Sequence, residues 1–367
     1  MSDPVAGDPL TELDRRGRRS PIRRGPLLAA VALAVVVAGT SAAVVWWTSP
    51  HTASPSALSQ PSPRSGAAMA YDPAARTVVL FSGVGAGAGG GALLDDTWTW
   101  NGSGWTELHP ASAPPFRSGG MLAYAPATRQ LVLTGSEFPG YEGATPLGNT
   151  WTWDGTTWSR QAATGPSTFG WTAMATDDAT GQLILVDGFG SGCQAVQTWE
   201  WSGGSWLQLR PPASPGPSDT GLLAYDPVSH RLDLVIDPLP ACAIDQSAAG
   251  LAADWSWDGS DWISQGSALP RGSSPWSGTL VSSAKGPLLV GSEGDSQLWV
   301  GRTWSDAGGA PAPARVGAAV AYDAADQQVV LFGGACLSCK PAAGITAYLG
   351  DTWTWDGSWT LREGPVR

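Results

Sequence analysis

The stretch Thr150-Trp151-Thr152-Trp153-Asp154-Gly155-Thr156-Thr157-Trp158 recurs in close copies along most of this chain. Copies run from Thr97 to Trp105, Thr198 to Trp206, Asp254 to Trp262 and Thr352 to Trp359, and a worn one runs from Gln297 to Trp304, six in all. Their first or equivalent tryptophans are Trp98, Trp151, Trp199, Trp255, Trp299 and Trp353, a spacing of roughly fifty residues that marks a repeat architecture. Within a copy, tryptophans two apart share one face of a strand. Asp-Gly or Asn-Gly then supplies a tight turn, and the third tryptophan starts the returning strand. The unit is a hairpin.

Upstream of each hairpin the same order of segments repeats. In the first repeat a small-residue strand, Ala67-Ala68-Met69-Ala70-Tyr71, meets Asp72-Pro73-Ala74-Ala75, which carries the Asp and Pro of a type I turn. The apolar strand Val78-Val79-Leu80-Phe81 follows. Each repeat therefore holds four strands. Six four-stranded antiparallel units bury both faces by stacking radially, so the fold class is all-β, a six-bladed β-propeller. Alanine and glycine in the first strand suit the crowded axis, and tryptophans in the third and fourth fill the space between blades. No seventh repeat begins before Arg367, so the sixth blade is expected to meet the first directly.

The front of the chain is different. Six arginines (Arg15, Arg16, Arg18, Arg19, Arg23 and Arg24) precede an uncharged run from Pro26 to Trp47. As a helix this run measures roughly 33 Å, enough to cross a bilayer. The chain divides on this reading into a cytoplasmic basic segment (1–25), a transmembrane signal-anchor helix (26–47), a Ser/Pro/Ala linker (48–63) and an extracellular propeller (64–367). The alternative is a cleaved signal peptide with Ser41-Ala42-Ala43 at the cleavage site, which would make the protein secreted.

The net charge of −11 argues against nucleic acid as a partner. All four cysteines fall outside the membrane, where disulfides persist. Cys193 and Cys242 hold equivalent places in consecutive repeats and are expected to pair, as are Cys336 and Cys339 of Cys-Leu-Ser-Cys. No second CxxC and no nearby Cys-His partner points to zinc. The Gly/Ala stretch from Gly85 to Gly91 reads as a flexible loop. No GxSxG, HExxH or P-loop stands in context.

Together the repeats resemble the kelch family, the galactose-oxidase-like propellers. The carriers are the Arg-x-Gly openings (Arg64, Gly66; Arg117, Gly119; Arg315, Gly317), the glycine pair Gly333-Gly334 after strand two, and the spaced strand-four tryptophans Trp105, Trp158, Trp206, Trp262 and Trp304. The chain departs from the pattern by keeping a plain Gly-Gly only in blade six, by Asp237 at that place in blade four, and by the worn hairpin of blade five. Resemblance to galactose oxidase would imply a copper site with histidines, but the propeller region holds only His109 and His230, on strand ends that open to opposite faces. No cofactor or metal is expected. A family so broad in function implies little about activity.

Two functions remain open at this level. One is a membrane-tethered binding module that presents a loop face to a protein or glycan. The other is a carbohydrate-active enzyme, a lyase or glycoside hydrolase, with a site built from the second-to-third strand loops. Those loops (Val84 to Asp95, Ser136 to Gly148, Phe189 to Ala195, Pro238 to Ala252 and Ala335 to Leu349) are long, whereas the opposite face has only tight turns, so the long-loop face is the expected site. Arg64, Arg117 and Arg315 open strand one in three blades that become contiguous when the ring closes. Phe169, Trp171 and Trp276 supply apolar surface opposite. This set would hold a partner bearing a carboxylate or sulfate, which guanidinium grips bidentately; the alternative is that the arginines bond blade-edge carbonyls and neighbouring carboxylates.

Overall fold

The computed structural model describes residues 60–87, 90–135, 150–161, 165–166, 171–188, 195–238, 253–267, 278–300, 303–309, 311, 313–339 and 347–364. The basic segment 1–25, the expected span 26–47 and the first part of the linker lie outside these residues, and among the described ones no helix is long and apolar enough to cross a membrane.

Among the described residues twenty-six strands form six antiparallel sheets. Blade one comprises β1 (Arg64–Ser65), β2 (Ala68–Asp72), β3 (Thr77–Gly87), β4 (Gly90–Trp100) and β5 (Trp105–Leu108). Blade two has β6 (Met121–Ala125), β7 (Gln130–Thr134), β8 (Trp151–Trp153) and β9 (Trp158–Arg160). Blade three has β10 (Trp171–Asp177), β11 (Gln182–Gly188), β12 (Gln197–Ser202) and β13 (Ser205–Leu209). Blade four has β14 (Ser218–Asp226), β15 (Arg231–Pro238), β16 (Ala253–Trp257) and β17 (Trp262–Ser267). Blade five has β18 (Thr279–Val281), β19 (Leu288–Val290), β20 (Ser296–Val300) and β21 (Thr303–Asp306). Blade six has β22 (Arg315–Val316), β23 (Ala319–Asp323), β24 (Gln328–Cys336), β25 (Tyr348–Trp355) and β26 (Trp359–Glu363). Blades one and six have five strands because their first strand is broken at Gly66 and Gly317, with both pieces pairing to the second strand.

The turns between first and second strands follow from side-chain chemistry. Asp72 Oδ1 accepts from Ala74 N, Asp177 Oδ1 from Ala179 N, Asp226 Oδ1 from Val228 N and Asp323 Oδ1 from Ala325 N. An aspartate that satisfies the backbone two residues on favours this turn over continued strand. In the hairpins Asn101, Asp154 and Asp258 accept in the same way.

Six apolar clusters occupy the six seams between blades. The seam of blades six and one joins Ala319, Ala321, Val330 and Phe332 to Met69, Leu80, Trp98 and Trp105, so the ring closes by direct face-to-face packing, as the repeat count predicted. Trp100, Trp153, Trp158, Trp201, Trp257 and Trp262 are among the most buried side chains, and the third-strand and fourth-strand tryptophans of the first five hairpins meet at 5.1 to 5.4 Å, Trp153 and Trp158 at 5.2 Å for example. A second device ties the seams. Five of the six fourth-strand tryptophans donate the indole N–H to a hydroxyl at the third strand of the preceding blade: Trp158 to Thr97 (3.0 Å), Trp206 to Thr150 (2.9 Å), Trp262 to Thr198 (2.8 Å), Trp359 to Ser296 (3.1 Å) and Trp105 to Thr352 (2.8 Å). These groups are desolvated, so each bond satisfies a donor that would otherwise be costly to bury.

Two expectations are corrected. The described part of the Gly85–Gly91 stretch is paired strand: β3 and β4 continue their ladder through Gly85↔Ala92 and Ala86↔Gly91 to Gly87↔Gly90, beyond a register shift between Phe81 and Gly83. Ser82 absorbs that shift with its Oγ, which donates to Leu94 O at 2.7 Å and lies 2.8 Å from Arg117 O. In blade five Trp299 pairs with Trp304 as Trp100 pairs with Trp105, so Trp299 is the second tryptophan of its copy and Gln297 holds the first place.

Candidate functional site

Arg64, Arg117 and Arg315 do stand in contiguous blades, but they point into the protein, with relative exposures of 1%, 1% and 5%. Arg64 Nη1 donates to Ser82 O (3.0 Å), and its Nη1 and Nη2 clasp Asp96 at 2.5 and 2.7 Å. Arg315 repeats this with Gly333 O (2.9 Å) and Asp351 (2.6 and 2.9 Å). Arg117 Nη1 donates to Gly135 O at 3.2 Å. Asp96 and Asp351 each accept in addition from the indole of Trp98 or Trp353 at 2.7 Å. Burial pushes the Asp96 carboxyl up, yet the bonds and charge of Arg64 outweigh it and hold the group below the usual carboxylate range. The contacts described are those of a scaffold, which welds the opening segment of a blade to its second and third strands.

The glycines of the Arg-x-Gly openings complete that weld. Gly66, at φ +69°, donates its N–H to Gly317 O (2.8 Å) and accepts from Gly119 N (2.9 Å), which chains blades six, one and two around the axis. Trp171 also lies between blades, where its indole donates to Ser218 O at 2.8 Å and its ring covers Gly188 and Gly221. Phe169, Trp276, Cys193 and Cys242 lie outside the described residues, as do most residues of the long second-to-third strand loops of blades two, three and four and residues 340–346 of that of blade six. Cys336 and Cys339 form the expected disulfide.

Both cavities that stand out among the described residues are lined by residues of the tight-turn face. The first, of about 350 Å³, is the mouth of the central channel. Every blade contributes the last residues of its inner strand, and the places immediately before the turn are held by Tyr71, Tyr124, Thr176, Tyr225, Ser282 and Tyr322. Below this hydroxyl collar the wall is apolar, with Met69, Leu122, Met174, Leu223, Leu280 and Val320. Burial, with nearby aspartates, pushes the Tyr71, Tyr225 and Tyr322 phenols up, which keeps them protonated as hydrogen-bond donors. Asp178 sits on the rim, its carboxyl pushed up by burial and by Asp177. Tyr225 OH lies 3.3 Å from His230 Nδ1. The collar escaped the sequence reading because alternate tyrosines in first strands look like ordinary strand residues until the blades are set in a ring.

The second cavity, of about 310 Å³, lies between blades four and five and is lined by Asp226, Asp233, Asp254, Ser256, Gln265, Arg231 and Trp299, with Val228 and Ser229 of the turn at its edge. Burial, then the charges of Asp254 and Asp226, push the Asp233 carboxyl up to about 8. Among the described residues no group of three His, Cys, Asp or Glu side chains is arranged to hold a metal ion.

No protein-family model matches this chain, and neither does any curated protein. Among solved structures it is similar to YjhT, at 14% identity over 83% of this chain and 99% of that one, with a TM-score of 0.53. The SapL1 lectin, solved with alpha methyl fucoside, matches at 14% identity over 84% of this chain and 98% of that one (TM-score 0.47). The fucose-specific lectin from Aleuria aurantia matches at 11% identity over 82% and 96% (TM-score 0.49). At such identities the likeness to YjhT speaks to architecture, and the two lectins add nothing further to the argument. The class of the protein is a six-bladed all-β propeller.

Proposed function

We propose that this chain is a kelch-like binding module, tethered to the cell membrane through residues 26–47 with its propeller outside the cell, and that its partner is a glycan. One observation carries the binding role: the channel mouth combines a collar of tyrosine, threonine and serine residues with an apolar floor, in a cavity of about 350 Å³. A sugar ring presents the same two chemistries, hydroxyls at its edge and C–H groups on its faces. A pocket with an apolar wall and a few convergent polar groups is the usual form of a small-ligand site. Tyrosine supplies contact area and a donor at low conformational cost.

The uncharged run 26–47 and the preceding arginines support the tether. With that orientation, protease added to intact cells releases the propeller while the chain fractionates with membranes; a soluble product beginning near Val44 would mean cleavage instead.

The binding role is tested by presenting the full-length chain to a glycan array and repeating the measurement with Tyr71→Phe and Tyr322→Phe. Each substitution removes one hydroxyl and leaves the ring, so a bound glycan is expected to lose roughly five- to tenfold in affinity, about 1 kcal/mol per hydrogen bond. Unchanged glycan binding in both variants would overturn the assignment to the channel mouth.

A further inference from the structure

Blade four breaks the repeat at two adjacent places, and both face blade five. The second-strand position that pairs with the central alanine or valine of the first strand is Val79, Val132, Ile184, Leu288 or Val330 in the other five blades, each fully buried against the next blade. In blade four it is Asp233, opposite Ala224. The third-strand position that receives the next blade's indole N–H is Thr97, Thr150, Thr198, Ser296 or Thr352 elsewhere, and Asp254 here. Trp304 of blade five, the corresponding indole, finds no hydrogen-bond partner among the described residues. The apolar core of this seam shrinks accordingly to Ala224, Leu280 and Leu289, with Leu222 and Trp304 beside them.

These exchanges run against stability, since an apolar residue at position 233 would satisfy the packing rule that the other five blades obey. Asp233 is only 6% exposed, and its Oδ2 has no hydrogen-bond partner among the described residues although it lines an open cavity of about 310 Å³. Its carboxyl is hydrogen-bonded by the Trp299 side chain. Around it stand Asp226, Asp254, Ser229, Ser256 and Gln265, with Arg231 as the sole basic residue of the lining. The cavity has an excess of acid, exceeds the space a bare ion needs, and is lined by many acceptors.

We propose that the seam between blades four and five is a binding site for an amino sugar, whose ammonium group sits against Asp233 and Asp254 while its hydroxyls meet Asp226, Ser256 and Gln265. The site is separate from the channel mouth and stands or falls independently of it. A sugar is favoured over a lysine side chain because seven of the nine lining residues are polar or charged, more partners than one ammonium group on an apolar stem would use.

The proton inventory supplies a signature. With its carboxyl held up to about 8, Asp233 is protonated at neutral pH before the ligand arrives. Capture of R–NH₃⁺ converts the Asp233 acid to its carboxylate and releases one proton to solvent, so affinity rises with pH up to about 8 and the binding heat depends on the ionisation enthalpy of the buffer. The titratable and charged groups facing Asp233 are Asp226, Arg231 and Asp254, all from blade four; blade five presents Trp299.

The test is calorimetry of the purified full-length chain with glucosamine, in phosphate and in Tris, with glucose, N-acetylglucosamine and Nα-acetyl-lysine amide as comparators. Saturable glucosamine binding, at least about tenfold weaker for both neutral sugars and for Asp233→Asn and Asp254→Asn, with proton release lost in Asp233→Asn, is the expected result. The asparagine at 233 matches the protonated acid in shape and keeps an acceptor for Trp299, so this variant should fold; its thermal transition at pH 5 checks that. No glucosamine binding by the wild-type chain, equal binding by Asp233→Asn, or tighter binding of the lysine amide than of glucosamine would each overturn the assignment.

Discussion

Trp105 of the first blade donates its indole N–H to the hydroxyl of Thr352 in the last, at 2.8 Å, so the ends of the repeat array are joined by the same bond that ties four of the five internal seams. Gln60 Nε2 adds a contact to Gly364 O at 3.1 Å. Among the described residues no strand is exchanged between the first and last blades, and closure rests on this bond, the backbone bond from Gly66 to Gly317 and the surrounding apolar cluster.

Replacing Thr352 by valine keeps the volume and orphans the Trp105 donor. The expected cost is about 1–3 kcal/mol, the penalty of a buried polar group left unsatisfied. Urea unfolding measures it, and Trp105→Phe combined with Thr352→Val should lose clearly less than the two single changes added together.

For the arginine openings, Arg315→Ala leaves the Asp351 carboxylate buried without its cation, and about 3–5 kcal/mol of stability should be lost. A melting temperature within a degree or two of the parent would show that the guanidinium is not part of the scaffold. The triple alanine variant at Arg64, Arg117 and Arg315 is expected not to fold.

Stability should decline as pH rises from about 4 to 8. Asp187 is held up to about 6 by burial and Asp233 up to about 8 by burial and its aspartate neighbours. Between the ordinary carboxylate range and these values the native state binds more protons than the unfolded chain, so each group stabilises at low pH and loses that contribution as pH passes its folded value. Asp233→Asn should match the parent near pH 4 and exceed it at pH 9 in chemical denaturation; a parent curve flat from pH 5 to 9 would contradict the burial of this acid.

At Gly66 the backbone lies at φ +69°, and an added Cβ would stand 2.5 Å from Ser118 Oγ and 3.3 Å from Gly119 N. Gly66→Ala therefore meets both strain and collision, and a loss of about 1–3 kcal/mol is expected from the backbone conformation alone. Differential scanning calorimetry against Gly364→Ala, where a Cβ meets nothing, gives the comparison.

The architecture was readable in Thr150 to Trp158 and its copies, because strand alternation, Asx turns and a fixed period are local properties. Burial of the hairpin tryptophans and direct contact between blades six and one followed from the same count. The worn copy misled by two residues: the tryptophan that survives at Trp299 is the one that stacks on the fourth strand, and only the Trp299–Trp304 pairing reveals its place. The Gly85–Gly91 stretch misled as well, since its pairing depends on the bulge at Ser82 and on partners across the hairpin.

What the sequence by itself determined is the unit and its number, since hydrophobic period and turn chemistry act over a few residues. What only the tertiary structure decided is which side chains meet. Arg64 and Arg315 turn inward because Asp96 and Asp351 lie on the next strand but one of the same sheet, a placement set by register. The tyrosine collar arises where the inner strands of different blades converge, and the acid-lined cavity where aspartates of blade four meet Trp299 of blade five. Contacts across roughly fifty residues of chain depend on ring closure, and no local pattern specifies them.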